Sequence, residues 1–376
     1  MKKKLLYINN FEAPYRVPFF NYLGQNYDMT IAFSQRPEER KERNLKWFQS
    51  LERNYKSLYL DTVQLGTIKI AFSVKKILKD YDIIFMDMYG NPTNMYAIYC
   101  LNRMKKPFVM SVDGILPKQN EKFLAKEIKR YFLNSPLKIL SPGEYVDGNL
   151  KKYGVLPEKI ARYHFTSLLK DDLLSEVPTF EEKLKLRKKL DMPLEMQNKV
   201  ILTVGRFSYE RGYGKGYDVL FKAMFKLPKA YHLYIVGDEP TQEFIDMKNK
   251  MHLDNIHFVG FKNKKELNEY YCAADLFCLQ TRGDVWGLVI NEAMATGLPV
   301  ITTKQCVAGM ELVKNGVNGY IGDAEDDGEL ANNIMTILGN TEVRQNMSEM
   351  SLKIIREYTI EQMTKDHVKV LNSLIG

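Results

Sequence analysis

Cysteine is scarce in this chain: four in 376 residues, Cys100, Cys272, Cys278 and Cys306, with no C-x-x-C pair among them. That excludes a disulfide framework, and the four read as buried apolar residues of a reducing cytoplasm. There are five histidines; His252 and His257 stand five positions apart and the rest are scattered, so no zinc spacing exists. No apolar run approaches the roughly 20 residues that span a bilayer. The basic start MKKKLLYINN turns polar at Asn9, too early for the core of a secretory leader. G-x-S-x-G and Cys/His nucleophile motifs are missing, and so is the interleaving of aromatic and basic residues that reads single-stranded RNA. Nucleic acid is therefore not an expected partner, and any work at a membrane is done from its surface.

What is present is the composition of a soluble globular protein long enough for two domains: 45% hydrophobic, 27% charged, 54 basic against 46 acidic residues, net +8. The charge is uneven. Residues 1–165 carry 28 basic and 16 acidic side chains, net +12, while 166–376 carry 26 and 30, net −4. A lysine-covered solvated face and an anionic partner for the first half both fit that asymmetry, and composition does not choose between them.

Short β-rich apolar runs alternate with amphipathic stretches: LLYI, MTIAF, DIIFM, PFVMSV and LKILS, then after Asn198 KVILTVG, AYHLYIVGD, NIHFVGF, DLFCLQ, LPVITT and NGYIGD. The alternation predicts two α/β domains, each a doubly wound parallel sheet, with ligands beyond the carboxyl ends of the strands in a cleft. The expected boundaries are 1–168 for the first domain, closed by a C-terminal helix over 358–376, a linker over 169–198 carrying Pro178 and Pro193, and 199–357 for the second.

Two segments carry candidate chemistry. In VGRFSYERGYGKGYDVLF, Val204 to Phe221, a strand ends in glycine, Arg206 follows, and a glycine-rich loop with Arg211 and Lys215 leads into a helix from about Tyr217. Cations, backbone N–H groups and a helix dipole at one strand end suit a diphosphate, although neither a Walker A nor a G-x-G-x-x-G pattern is in register. An ordinary basic surface loop is the competing reading. In QTRGDVWGLVINEAMATGLPVI, Gln280 to Ile301, a strand runs into a loop holding Asp284, a helix starts near Leu288, and Glu292 lies eight positions beyond Asp284. One carboxylate placed for sugar hydroxyls and one for a ribose diol is the functional reading; solvated surface is the bland one. Asp80 and Asp82 form a D-x-D but precede the strand IIFM, where they cannot serve as a metal–diphosphate motif.

Together with the VGF of Val259 to Phe261 and the AADLF of Ala273 to Phe277, these segments resemble the retaining glycosyltransferases of family 4, which have the GT-B fold. The likeness is specific over 199–323 and looser in the first half, where PYRVPFFNYL (Pro14 to Leu23) resembles the acceptor-side first loop and helix of polysaccharide-assembling members. The resemblance implies a first domain that binds acceptor and a second that binds a nucleotide sugar. It implies that Arg206 and Lys215 hold the donor diphosphate, with Arg211 a competitor for the lysine's role: Arg211 has the usual spacing, but Lys215 opens the K-G-x-D run. Asp284 takes the place of the family's first glutamate at the donor sugar, Glu292 that of the second at the ribose, backbone around Gly287 and Leu288 meets sugar or phosphate, and Val259, Gly260 and Phe261 hold the base.

Two departures stand out. Asp284 is one methylene shorter than glutamate, and the family's early histidine is missing; Asp113 and Gly114 occupy that region, with Asp113 either holding a sugar hydroxyl or capping its loop. The implied activity is retaining, metal-independent transfer from a nucleotide sugar, UDP favoured, to a lipid-linked saccharide of surface-polysaccharide synthesis. No cofactor is expected, the nucleotide sugar being substrate. Alternatives are a catalytically silent sugar-nucleotide-binding or scaffold protein and a nucleotide-sugar 2-epimerase. The location implied is cytoplasmic, peripheral at the inner membrane face, with Lys75, Lys76, Lys105, Lys106, Lys122, Lys126 and Lys129 meeting anionic headgroups.

Overall fold

The apolar runs become parallel strands because they are covered on both faces, where continuous Val/Ile/Leu stretches outlast an alternating pattern. The computed structural model describes residues 2–36, 52–116 and 121–374, and divides the chain into two units, 1–167 with 358–376 and 168–357.

The first unit holds β1 (Lys4–Asn9), β2 (Asp28–Phe33), β3 (Lys56–Tyr59), the hairpin β4 (Val63–Leu65) and β5 (Ile68–Ile70), β6 (Ile83–Asp87), β7 (Val109–Ser111), β8 (Lys138–Ser141) and β9 (Ile160–Arg162). Its helices are α1 (Val17–Gly24), α2 (Val74–Ile77), α3 (Pro92–Arg103), α4 (Phe123–Asn134) and α5 (Glu144–Lys152). The sheet is parallel with order β3-β2-β1-β6-β7-β8-β9.

In the second unit α6 (Phe180–Lys189) is followed by β10 (Lys199–Val204), α7 (Tyr217–Lys226), β11 (Tyr231–Val236), α8 (Gln242–Lys250), β12 (Ile256–Gly260), α9 (Lys264–Ala273) and β13 (Leu276–Leu279). Then come α10 (Leu288–Ala295), β14 (Val300–Thr303), α11 (Val307–Leu312), β15 (Gly319–Gly322), α12 (Asp327–Leu338) and α13 (Thr341–Ile355). All strands are parallel in the order β12-β11-β10-β13-β14-β15, so the side on which successive strands are added reverses between β10 and β13. Beyond the carboxyl ends at such a switch the loops part and a ligand finds room.

The last helix, α14 (Ile360–Asn372), returns to the first unit and packs on α1. Its His367 ring lies among Phe19, Phe85 and Tyr163 at centroid distances of 4.7, 5.3 and 4.9 Å, and burial pushes its pKa down to about 4, so it serves there as a neutral ring.

Residues 169–198, expected as a linker, instead belong to the second unit. The reason is a buried charge cluster. Arg187 on α6 donates to Asp275 at 2.6 Å and to the Ala273 carbonyl at 2.9 Å, Lys183 donates to the Ala274 carbonyl at 2.7 Å, and Arg344 of α13 stands 3.4 Å from the same carboxylate. Three cations hold the Asp275 carboxyl at about 2, against the burial that would raise it. The segment is charged in composition yet partly core in structure. Three of the four cysteines, Cys100, Cys278 and Cys306, are buried, and Cys272 is partly exposed.

Candidate functional site

The carboxyl ends of β10 and β13 carry most of the side chains singled out by sequence. After β10 the chain passes Gly205 and the exposed Arg206, then turns through Tyr209–Lys215 before α7. Gly216, the residue that starts α7, has φ +67°, and a Cβ there would fall 1.8 Å from the Gln280 carbonyl oxygen at the end of β13. Only glycine lets the two loops close to this distance. The methylenes of Lys215 lie over Gly205, and its ammonium donates to Asp284 Oδ2 at 2.8 Å. Both side chains are largely but not fully shielded, 15% and 23% exposed, so the pair is neither a surface bridge nor sealed from a ligand.

After β13, Asp284 is pinned through side chain and main chain: its Oδ1 accepts from the Trp286 N–H at 3.3 Å, and its backbone N–H donates to the Gln305 carbonyl at 2.9 Å. Trp286 is buried and its indole donates to Asn291 at 2.9 Å, which anchors the loop to α10. Gly287 precedes α10 at φ +101°, where a Cβ would stand 2.6 Å from Cys306 Sγ. The turn it makes starts the helix at Leu288, and the first N–H groups of a helix have no partner within it. One turn on, Glu292 accepts a 2.9 Å hydrogen bond from the Tyr271 hydroxyl, and burial pushes its pKa up to about 7. The Lys264–Asp172 pair, 2.7 Å apart, supplies the remaining nearby charges, of opposite sign.

The structure thus brings Arg206, Lys215, Asp284, Gly287, Leu288 and Glu292 to one end of one sheet. Arg211 is not among them: its side chain is 79% exposed and reaches Glu243 at 3.5 Å. Of the two basic residues in the loop, Lys215 is the one beside Asp284. Val259 and Gly260 end β12, with the Gly260 carbonyl accepting from Gly237 N–H at 3.3 Å, and Phe261 follows, half exposed. They lie two strands over from β10 on the same sheet.

Asp113 belongs to the other unit. It follows β7 and is held by Arg16, whose guanidinium donates to it and to Asp87 at 3.1 Å, and by the Tyr163 hydroxyl at 3.2 Å. Tyr7 donates to Asp87 as well. A 6% exposed arginine between two carboxylates needs both, so Asp113, itself 29% exposed, joins a network spanning PYRVPFFNYL, β1, β6 and β7.

Sequence reasoning missed three residues here. Asp238, in the G-D that ends β11, accepts from the N–H groups of Phe207 and Ser208 and so fixes the chain just after Arg206. Arg282 ties loops together through Asp218 and Glu325. Tyr271 orients Glu292. The V-G-D after a strand was a visible signal for the first; nothing local marks the others. Among the described residues no group of three or more His, Cys, Asp and Glu side chains is placed to hold a metal ion, and no helix is long and apolar enough to cross a membrane.

The family match falls in the same half of the chain. Residues 185–353 match the family described as glycosyl transferases group 1. An uncharacterized 41.2 kDa protein in the cps region of Klebsiella pneumoniae is 31% identical over 273 residues, covering 72% of this chain and 64% of that protein. The lipopolysaccharide core biosynthesis glycosyltransferase LpsE of Rhizobium meliloti is 27% identical over 193 residues, 50% of this chain and 53% of the relative. The chain spans about half the length of most curated relatives it matches. The crystal structure of Anabaena Alr3699/HepE in complex with UDP superposes with a TM-score of 0.78 at 18% identity, over 98% of this chain and 100% of that one. At that identity the likeness establishes the fold, two Rossmann-like parallel-sheet units of the GT-B kind. Residues 185–353, which contain the switch-point site, form a domain of the glycosyl transferases group 1 family.

Proposed function

We propose that the protein is a retaining, metal-independent glycosyltransferase of family 4 that moves a sugar from a UDP-sugar to a saccharide acceptor, a lipid-linked intermediate of surface-polysaccharide synthesis. The observation that carries this reading is the pairing of Lys215 with Asp284 at the switch between β10 and β13, beside Arg206 and the start of α10. The UDP held by the Anabaena neighbour and the lipopolysaccharide role named for the Rhizobium relative support donor and acceptor class.

The chemistry follows from the charges. When the bond between the anomeric carbon and the phosphate oxygen breaks, negative charge grows on the diphosphate and positive charge on the sugar. Arg206, Lys215 and the N-terminal N–H groups of α10 would meet the diphosphate at the strand ends; once Lys215 turns from Asp284 to the phosphate, cations and backbone dipoles aimed at one point stabilise the growing charge. The acceptor hydroxyl oxygen attacks the same face of the anomeric carbon, and its proton passes to the departing phosphate oxygen. Retention then needs no protein nucleophile. Glu292 accepts the ribose hydroxyls, and Asp284, shorter than glutamate, receives the donor sugar.

The acceptor side of the proposal is the basic first unit working at an anionic membrane surface. Lys75, Lys76 and Lys105 are exposed, and Lys122 and Lys126 flank Phe123 and Leu124 on α4, whose side chains are 79% and 70% exposed. Lys106 and Lys129 are partly engaged, with the Tyr81 carbonyl and with Glu121. Basic residues beside an exposed apolar helix face favour an anionic interface.

The test is release of UDP or GDP from a panel of nucleotide sugars, with and without lipid-linked acceptors, by wild type, Arg206→Ala and Glu292→Ala. Turnover with at least one sugar, lost in both variants, is expected. Equal rates in all three proteins would remove the site, and isomerised donor without transfer would replace the transferase reading with an epimerase.

A further inference from the structure

The loop that carries Lys215 adopts a shape its sequence does not favour. Glu210, Arg211 and Gly212 have φ of 49°, 56° and 92°, three left-handed residues in a row of which only one is glycine. The turn leads straight into Tyr213 and Gly214, which are tied to the loop after β13, and the geometry points to Arg282 as a positioning residue for the diphosphate-binding cation. This rests on the donor-site reading above.

All five N–H groups of the Arg282 guanidinium have protein acceptors. Nε donates to Glu325 Oε1 at 2.6 Å; Nη1 donates to the Tyr213 carbonyl at 2.6 Å and Asp218 Oδ1 at 2.7 Å; Nη2 donates to Asp218 Oδ2 at 2.9 Å and Glu325 Oε2 at 2.7 Å. The main chain adds to this: the Arg282 N–H and the Thr281 hydroxyl both donate to the Gly214 carbonyl, each at 3.0 Å. These bonds end on the two residues before Lys215 and on the aspartate three after it. Arg282 therefore grips the loop on either side of the lysine.

Two consequences separate it from its neighbours. With every donor committed, Arg282 has none left for phosphate, although it is a cation two residues from Asp284; Lys215, held by one carboxylate, can turn to a ligand. And since Asp284 and Arg282 share one loop, the same side chain sets the distance between Lys215 and its carboxylate partner. A lysine cannot replace it, because an ammonium does not bridge two carboxylates and a carbonyl in one plane.

Calorimetric titration of the full chain with UDP tests this in wild type, Arg282→Ala, Arg282→Lys, Asp218→Asn, Lys215→Ala and the Lys215→Ala/Arg282→Ala double variant, each also melted without ligand. Loss of a well-aimed charge-assisted bond to phosphate weakens binding about tenfold or more. The expected result is that both Arg282 variants and Asp218→Asn bind UDP at least about tenfold more weakly, and that the double variant binds no worse than Lys215→Ala. Unchanged affinity in Arg282→Ala or Asp218→Asn, or effects of Arg282 and Lys215 that multiply, would overturn the inference. If Arg282→Ala does not fold, Asp218→Asn in the presence and absence of Lys215 carries the same comparison. Lack of any wild-type binding to UDP or GDP would instead overturn the donor reading, and this inference with it.

Discussion

Replacing Glu292 by glutamine separates what the site costs in stability from what it does. The carboxyl titrates near 7 against an ordinary 4.5, chiefly because burial disfavours its charge. Between those values the folded chain holds a proton that the unfolded chain has lost, so stability falls as pH rises from about 4.5 to 7 and stays low above. The shift caps the loss at about 3 kcal/mol. Glutamine keeps an oxygen for Tyr271 and has no charge to bury. Glu292→Gln should therefore melt higher than wild type at pH 8, by at most roughly 6–12 °C for a unit of this size, and equal to it near pH 4.5. Binding should run the other way. A ribose hydroxyl donates best to the ionised carboxylate, and the ionised fraction drops about tenfold from pH 8 to 6. Wild-type affinity for UDP should fall correspondingly, beyond the change from UDP's own phosphate ionisation near pH 6, which Glu292→Gln reports alone. Melting curves at pH 4.5, 6 and 8 with and without UDP read both effects. A variant less stable than wild type at pH 8, or identical pH dependence of binding in the two proteins, would refute the reasoning.

Asp284→Asn removes the carboxylate that pairs with Lys215, so UDP should bind several-fold tighter while sugar transfer slows; weaker UDP binding by titration would contradict the competition. Gly216→Ala places a Cβ 1.8 Å from the Gln280 carbonyl at a left-handed position, and soluble protein should lose UDP binding and melt at least several degrees lower. Arg187→Ala leaves Asp275 buried with weaker compensation and should cost about 3–5 kcal/mol by denaturant titration, which a 169–198 segment acting as a loose linker would not.

The two parallel sheets were legible because strands buried on both faces advertise themselves as apolar runs, as in KVILTV and LFCL. β3, β9 and the β4–β5 hairpin were not: they are three or four residues long and largely exposed, so no run or alternation marks them. The segment 169–198 reads as a linker by charge and proline, since composition cannot tell that Arg187 and Lys183 face a buried aspartate 88 and 92 positions away. At the site, glycine-rich strand ends and the spaced carboxylates were visible. The K-G-x-D run already favoured Lys215 over Arg211 in the sequence, and the fold adds that Lys215 is the one that crosses to the next strand's loop and meets Asp284. Arg282, Tyr271 and the Arg16 to Asp113 contact join residues far apart in sequence, and pairing of that kind leaves no local pattern.

The central claim is that a nucleotide diphosphate lies between the loops after β10 and β13. A crystal structure of the protein soaked with UDP tests it most directly. The account predicts phosphate oxygens within hydrogen-bond distance of Lys215 Nζ, Arg206 and the first N–H groups of α10, with the ribose on Glu292. UDP bound elsewhere, or bound here with Lys215 still paired to Asp284 and the phosphates on Arg211, would contradict it.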